Sequence, residues 1–296
     1  MPVLVFGSAN ADLVFPVPEL PAPGRTVLGE AWRALPGGKG ANQAVAAARD
    51  GAEVAFAGAV GRDGMAEVAL SALRGTAADL ARVAVVEAPT GVAAICVDPA
   101  GRNQIAVAAG ANLAARAAQI EDAALTPQTV LVLQMEVPAA ENAALIARAK
   151  ARGARVLLNL APPAALPREA LAACELVIVN EHEAEWLARH LGCGPDAAAL
   201  AAALGTGVAR TLGEAGAEAV AGGALLRVPA RPVRVVDTTG AGDTWCGVLA
   251  AALSRGAGLE AAMRRAAVAS AIACTREGAA ASMPLAAETE AVLARV

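Results

Sequence analysis

The segment Asp237-Thr238-Thr239-Gly240-Ala241-Gly242-Asp243-Thr244-Trp245 puts a carboxylate directly behind a glycine turn. The β-branched run Val233–Val236 before it reads as a strand end, and the small residues from about Ala241 past Leu253 read as a helix. A glycine turn at a helix start leaves backbone N–H groups without intrahelical partners, and the helix dipole adds partial positive charge. Such a turn attracts an anion, phosphate above all. A carboxylate at its mouth repels that anion unless it has a task. The task open to Asp243 is to take a proton from a hydroxyl as the hydroxyl attacks phosphorus. Asp243 could also simply cap the helix, as aspartate often does, and the local pattern leaves both readings open.

Two further stretches carry polar groups at positions where ligands bind. Pro36-Gly37-Gly38-Lys39-Gly40-Ala41-Asn42-Gln43-Ala44 is a second glycine turn opening a helix that runs to about Arg49. It is not a Walker P-loop, since no Ser or Thr follows Lys39, and it is not a G-x-G-x-x-G dinucleotide fingerprint. Asn42 on its first turn could bind a hydroxyl. Near the start, Val3–Phe6 reads as a buried strand, and Asn10 and Asp12 follow at its carboxyl end, where open parallel sheets bind ligands. Both side chains can point one way and bond neighbouring sugar hydroxyls, although a plain polar turn has the same composition.

The elements that must position these groups follow a regular pattern. Leu13 to Arg33 is dense in proline, and its extended pieces, Leu13–Val17 and Thr26–Arg33, are expected to pair as an edge hairpin or flap. Val54–Ala57 reads as a strand and Met65–Arg74 as a helix. Val83–Val86, Val92–Val97 and Gln104–Val107 are short β-rich runs, the last two joined by the turn Asp98–Gly101. From about Ala114 strand and helix alternate: strands at Val130–Leu133, Val156–Leu158, Leu176–Val179 and Val208–Leu212, helices at Pro138–Ala151 and Glu181–Leu191. That alternation implies a parallel sheet covered on both faces. Glu136, Asn159, Asn180 and Gly213 then gather along the rim of its carboxyl ends. Asn180 and Glu183, three apart, could reach metal-bound water, or could form a helix cap with an acidic third residue. Long helical patterns at Leu259–Thr275 and from about Leu285 to Leu293 close the chain.

Composition limits the alternatives. The 296 residues are 56% hydrophobic, mostly through alanine, with net charge −4 spread along the chain. No basic run suggests nucleic acid, no stretch of about 18 uncharged apolar residues suggests a membrane span, and the start lacks the basic region of a secretory signal. Cys96, Cys174, Cys193, Cys246 and Cys274 form no C-x-x-C pair, which fits free thiols in a reducing compartment, and His182 and His190 lack a third ligand for zinc.

Taken together, Ser8–Asp12, PGGKGANQA (Pro36–Ala44), AGAN (Ala109–Asn112), NEHEAE (Asn180–Glu185), TLGEAG (Thr211–Gly216) and DTTGAGD (Asp237–Asp243) resemble the ribokinase group of the PfkB carbohydrate kinase family over nearly the whole chain. The resemblance implies one catalytic domain, residues 1–296, with a doubly wound α/β/α sandwich. Its central sheet is mainly parallel, and a small β-sheet lid is expected at about 12–33 and 91–107. It implies transfer of phosphate from ATP to the 5-hydroxyl of D-ribose with Mg²⁺ and an activating K⁺, in a cytoplasmic homodimer joined through the lids. Asp243 would be the base, and the N–H groups of Gly240, Ala241, Gly242 and Asp243 the anion hole. Asn10, Asp12, Gly38, Lys39, Asn42 and Glu136 match sugar-binding positions. Asn180 matches a nucleotide contact and Glu183 the acidic residue associated with Mg²⁺. Thr211, Leu212, Gly213, Glu214, Ala215 and Gly216 match the loop under ATP. Asp237, Thr239, Ala273, Arg276, Gly278 and Ser282 match the monovalent-cation site, mostly through backbone carbonyls.

Thr239 departs from an apolar residue found in some members, Ala267 from a histidine near adenine, and Trp245 from a smaller aromatic residue. Cys246 reads as a buried small residue. Two other functions share these motifs: a kinase of the same family acting on fructose, 2-keto-3-deoxygluconate or a nucleoside, and a silent sugar- or nucleotide-binding regulator. The second would be expected to lose the base or the glycines, and both are present.

Overall fold

The computed structural model describes residues 2–295. Thirteen strands form two sheets among these residues. In chain order they are β1 (Val3–Phe6), β2 (Asn10–Pro16), β3 (Arg33–Gly37), β4 (Val54–Gly61), β5 (Asp79–Val86), β6 (Gly91–Val97) and β7 (Asn103–Ala108), then β8 (Val130–Leu133), β9 (Arg155–Asn159), β10 (Leu176–Val179), β11 (Gly207–Thr211), β12 (Ala217–Ala221) and β13 (Ala224–Val228). The large sheet has the order β13-β12-β11-β10-β9-β8-β1-β4-β5 and is parallel from β11 to β5. The small sheet has the order β3-β2-β6-β7.

Alternation within each central strand explains the two-sided core. Side chains of neighbouring residues in a strand face opposite ways. Val3 and Val5 of β1 join one apolar cluster, with Val130, Val132, Leu157 and Ile178, while Leu4 and Phe6 join the other, with Leu131, Leu133, Leu158 and Val179. The first cluster is covered by α1 (Lys39–Arg49) and α2 (Gly64–Arg74); the second by α3 (Ala139–Arg152), α4 (Arg168–Ala173), α5 (Glu181–Leu191) and α6 (Ala197–Leu204). Three later helices, α7 (Ala241–Ser254), α8 (Leu259–Ala273) and α9 (Ala286–Leu293), complete the chain, and α7 and α8 pack with α1 on the first face. This is the doubly wound α/β/α arrangement expected, with the small sheet beside it.

Strand order places the site. From β1 the sheet grows through β4 and β5 on one side and through β8 to β11 on the other. Adjacent connections therefore leave β1 and β8 in opposite directions, which opens a crevice at their carboxyl ends. Asn10 follows β1 and Glu136 follows β8, so both flank that crevice.

Three local expectations are corrected. Val233–Val236 is irregular chain with Val235 and Val236 exposed, not a strand. Pro229 and Pro232 lie just before this segment and cannot donate to a ladder. Asn10 and Asp12 lie in a strand rather than a turn: β2 pairs antiparallel with β3 through Asn10↔Gly37 and Asp12↔Leu35. The expected partner Thr26–Arg33 is outside the strands except for Arg33, so the small sheet uses 10–16, 33–37, 91–97 and 103–108 rather than 12–33 and 91–107. Val83–Val86 belongs to the edge of the large sheet, and the β12–β13 hairpin was not foreseen.

Candidate active site

The glycine turn before α7 forms as its composition demands. Gly240 is the N-cap at φ 75°, in the left-handed region that a Cβ disfavours, and a Cβ there would stand 2.9 Å from the Ala279 Cα. Asp243 is on the first turn of α7 and makes no capping bond. Its carboxylate instead accepts from the Asn42 amide at Oδ2 and from the Gln43 amide at Oδ1, each at 3.0 Å. The cap reading of Asp243 is thereby overturned. α1 can bring Asn42 and Gln43 this close because Gly247 lies at the α1–α7 crossing, where a Cβ would meet the Gln43 carbonyl oxygen at 2.3 Å.

A cavity of about 220 Å³ opens beside this carboxylate. Lys39, Asn159, Asn180, Glu183, Thr211, Gly240, Gly242 and Asp243 line it, with Cys246. Six of the predicted site residues besides Asp243 thus share one wall, drawn from four separate stretches of the chain. Ala241 is in the turn, but its N–H is engaged by the Thr238 carbonyl at 3.1 Å. That leaves the first-turn N–H groups of Gly242 and Asp243 turned outward without an intrahelical partner. Leu212 to Gly216 continue from Thr211 as a single tight turn, Gly213–Ala215, outside the cavity wall.

The sugar-position residues adjoin the same wall. Glu136 Oε2 accepts from the Ser8 hydroxyl at 2.6 Å and from the Lys39 backbone N–H at 3.0 Å, which ties β1, β8 and the start of α1 together. Gly38 is the N-cap of α1. Asn10 is oriented by Asn112: the Asn112 amide donates to Asn10 Oδ1 at 2.7 Å, while Asn112 Oδ1 accepts from the Ala9 N–H. The Asn10 NH₂ is therefore free to meet a ligand oxygen. No protein donor reaches the Asp12 carboxylate among the described residues, so it is available to accept from ligand hydroxyls. Ser8, Asn112 and Gln43 were legible only as members of their motifs.

Charge is concentrated here. Burial pushes the Asp12 carboxyl up to about 7, assisted by the nearby Glu136 and Asp243 charges. Burial likewise raises Asp243 and Glu183, against the lowering pull of the Lys39 ammonium and of hydrogen bonds from Gln43 and Asn42 to Asp243 and from Asn180 to Glu183. Burial alone would lower Lys39, but Asp243, Glu136 and Glu183 outweigh it and hold the ammonium above its ordinary range. Burial keeps the Cys246 thiol neutral. A carboxyl whose folded value lies above its unfolded one stabilises the fold at low pH and loses that contribution as pH rises through the folded value. Asp12→Asn should accordingly melt higher than wild type at pH 8, by an amount that shrinks toward pH 4. A melting series at constant ionic strength checks this, and a difference independent of pH would reject it.

Asn180 and Glu183 form the capping box: the Glu183 N–H donates to Asn180 Oδ1 at 2.9 Å and Glu183 accepts from the Asn180 N–H at 2.7 Å. Both also line the cavity, so the cap reading holds without removing them from the site. At the cation-position residues, Asp237 accepts from the Thr239 N–H and hydroxyl and from the Gly278 N–H at 2.7–2.9 Å. These bonds outweigh burial and hold the Asp237 carboxyl below its usual range. Ser282 donates to the Ala279 carbonyl, the Ala273 carbonyl accepts the Arg276 N–H, and the Arg276 side chain turns to Glu288. Asp237, Thr239 and Gly278 are brought together; no hydrogen bond joins Ser282 or Arg276 to them among the described residues.

Known proteins resemble this chain over nearly its whole length. Residues 2–286 match the family described as pfkB family carbohydrate kinase. The ribokinase of Haemophilus influenzae is 36% identical, with 96% of each chain covered. The ribokinase structure from Thermotoga maritima superposes with TM-score 0.89 at 31% identity, covering 99% of each chain. Arabidopsis thaliana ribokinase complexed with ribose and ATP gives TM-score 0.88 at 31% identity, covering 99% of this chain and 98% of that one.

Proposed function

The chain belongs to the pfkB family of carbohydrate kinases, and we propose that it transfers the γ-phosphoryl group of ATP to the 5-hydroxyl of D-ribose, giving D-ribose 5-phosphate and ADP. The observation that carries this is Asp243, 8% exposed, held by two amides beside an anion-binding turn. Asp243 takes the proton of the sugar hydroxyl as its oxygen bonds to the γ-phosphorus, and the bond to the β–γ bridging oxygen breaks. Gly242 and Asp243 N–H groups, with Gly240, form the hole for the transferring group; Ala241 joins them on releasing Thr238. Asp12, Asn10, Asn42, Lys39, Gly38 and Glu136 bind the sugar. Asn180 and the Thr211–Gly216 stretch, including Leu212, Glu214 and Ala215, hold the nucleotide.

The acidic wall suits a divalent cation brought in with the phosphates, since Mg²⁺ takes one or two carboxylates beside substrate oxygens. Glu183 would hold it through water, and the ion would neutralise charge on the β- and γ-oxygens. The all-oxygen donors around Asp237 suit K⁺, with Asp237 and Thr239 on one strand of the loop and carbonyls of the Ala273–Gly278 and Ser282 stretches on the other. We also place the protein in the cytoplasm as a homodimer. The small sheet supports the homodimer, because Ile105 and Val107 on its edge strand β7 are 56% and 55% exposed.

The test is an ADP-release assay with ATP and Mg²⁺ over ribose, 2-deoxyribose, fructose, 2-keto-3-deoxygluconate and nucleosides, in K⁺ or Na⁺. Ribose should give the highest kcat/KM and K⁺ the higher rate. Preference for another member of the panel would keep the chemistry and overturn the sugar assignment.

A further inference from the structure

Gln43 is fully buried and lies at the centre of a chain of side-chain amides. Its Nε2 donates to Asp243 Oδ1 and to Asn159 Oδ1, both at 3.0 Å, and its Oε1 accepts from Gln134 Nε2 at 2.7 Å. Elementary valence fixes which way round these amides lie. An ionised carboxylate only accepts, so Gln43 must turn its NH₂ to Asp243. The same orientation is demanded from the other side. The Asn159 NH₂ faces the Ile178 carbonyl, so Asn159 presents its oxygen to Gln43. Gln43 must then turn its oxygen to Gln134, which must present NH₂. The cost appears at the far end: Gln134 Oε1 is buried with no partner. An unsatisfied buried acceptor is unfavourable, and here it is what the ordering of the other three groups leaves over.

We propose that Gln43, backed by Gln134 and Asn159, is the positioning residue of the phosphoryl-transfer step: it holds Asp243 in one rotamer by donating to Oδ1, and leaves its other side to the sugar hydroxyl. Asn42 cannot do this alone, because it bonds only Oδ2 and stands among the sugar-facing residues. Gln43 reaches the carboxylate from within the core, at a fixed distance from β8 and β9, so the base is registered to the sheet and not to the mobile ligand. The groups that also face Asp243 are Lys39 on α1, Glu136 after β8, Asp12 on β2, and Glu183 on α5, with Cys246 on α7 itself. Of these only Lys39 favours the ionised form, so the loss of the Gln43 bond falls on a carboxylate already pressed toward protonation.

The inference rests on Asp243 being the base, and the experiment separates the two. Gln43→Met keeps the volume and removes both amide functions. We expect kcat to fall roughly 10- to 100-fold, as for a base displaced by a fraction of an ångström, with the KM for the sugar changed less than about three-fold. The acidic limb of the kcat–pH profile should move to higher pH, because a hydrogen bond to the ionised form is lost. If Gln43→Met does not fold, Gln134→Met leaves Gln43 in place but removes its anchor, and the same limb should move the same way with a smaller loss of kcat. Unchanged kcat, or a loss of kcat with an unmoved limb, gives Gln43 a packing role and overturns the proposal. Asp243→Asn in parallel reports on the base itself: an active Asp243→Asn removes the premise, whereas an inactive one beside an unaffected Gln43 variant removes only this inference.

Discussion

Asp243→Asn should lower kcat by roughly 10²- to 10⁴-fold, the range for removal of a positioned general base, with sugar affinity changed only a few-fold. The substitution is close to isosteric and leaves the turn at Gly240 and Gly242 untouched, so the proposed anion hole should survive and supply the residual rate. Two opposing effects act on stability. Asparagine removes a buried carboxylate whose ionised form burial disfavours. It also turns one NH₂ toward a donor, since both carboxylate oxygens now accept from the Asn42 and Gln43 amides. These largely cancel, so the melting temperature should shift by only a few degrees and the kinetic loss cannot be ascribed to unfolding. Single-turnover quench with saturating ATP and sugar measures the chemical step directly. A variant retaining more than a tenth of the wild-type rate would dismiss Asp243 as the base.

The reach of sequence reasoning here follows the range of the interactions. β1, the helix after Gly38 and the helix after Gly240 are local signals, carried by runs and glycines within a few residues, and all three form. Asn180 and Glu183 are three apart, so their cap was also visible, and the structure adds only that the cap faces the cavity. What could not be read locally is partnership at long separation. Gln43 meets Asp243 across 200 residues and Asn159 across 116, and nothing in its helical spacing distinguishes it from its neighbours. Strand register failed for the same reason. Leu13–Val17 and Thr26–Arg33 are neighbouring extended pieces in sequence, but β2 pairs with 33–37, where Gly37 leads directly into the α1 turn and so brings Asp12 to the site. Val233–Val236 has strand composition but pairs with no strand of either sheet, and Pro232 stands directly before it without an N–H to donate.

Lys39→Met should produce the second large loss, roughly 10²-fold or more in kcat, with a pH signature unlike that of Asp243→Asn. Lys39 is the one cation among the residues lining the cavity, and it faces Asp243, Glu136 and Glu183. Preorganised positive charge beside a transferring phosphate is one of the strongest means such a site has of lowering the barrier. Its removal also takes away the charge that opposes burial at Asp243 and Glu183, so both carboxyls should rise further. Asp243 is then protonated over a wider range, and the loss relative to wild type should be greatest at acidic pH and partly recovered as pH rises. Stability carries a matching sign. The Lys39 ammonium is held above its unfolded value, so its own contribution persists through neutrality and disappears only at strongly alkaline pH. The carboxyls left behind have folded values above their unfolded ones, and the stability they confer when protonated is lost as pH rises. The melting temperature of Lys39→Met should therefore fall more steeply than wild type as pH rises above the ordinary carboxylate range, while its relative activity climbs over the same interval. A constant ratio of variant to wild-type kcat across that interval would separate Lys39 from the base and leave it only a role in binding.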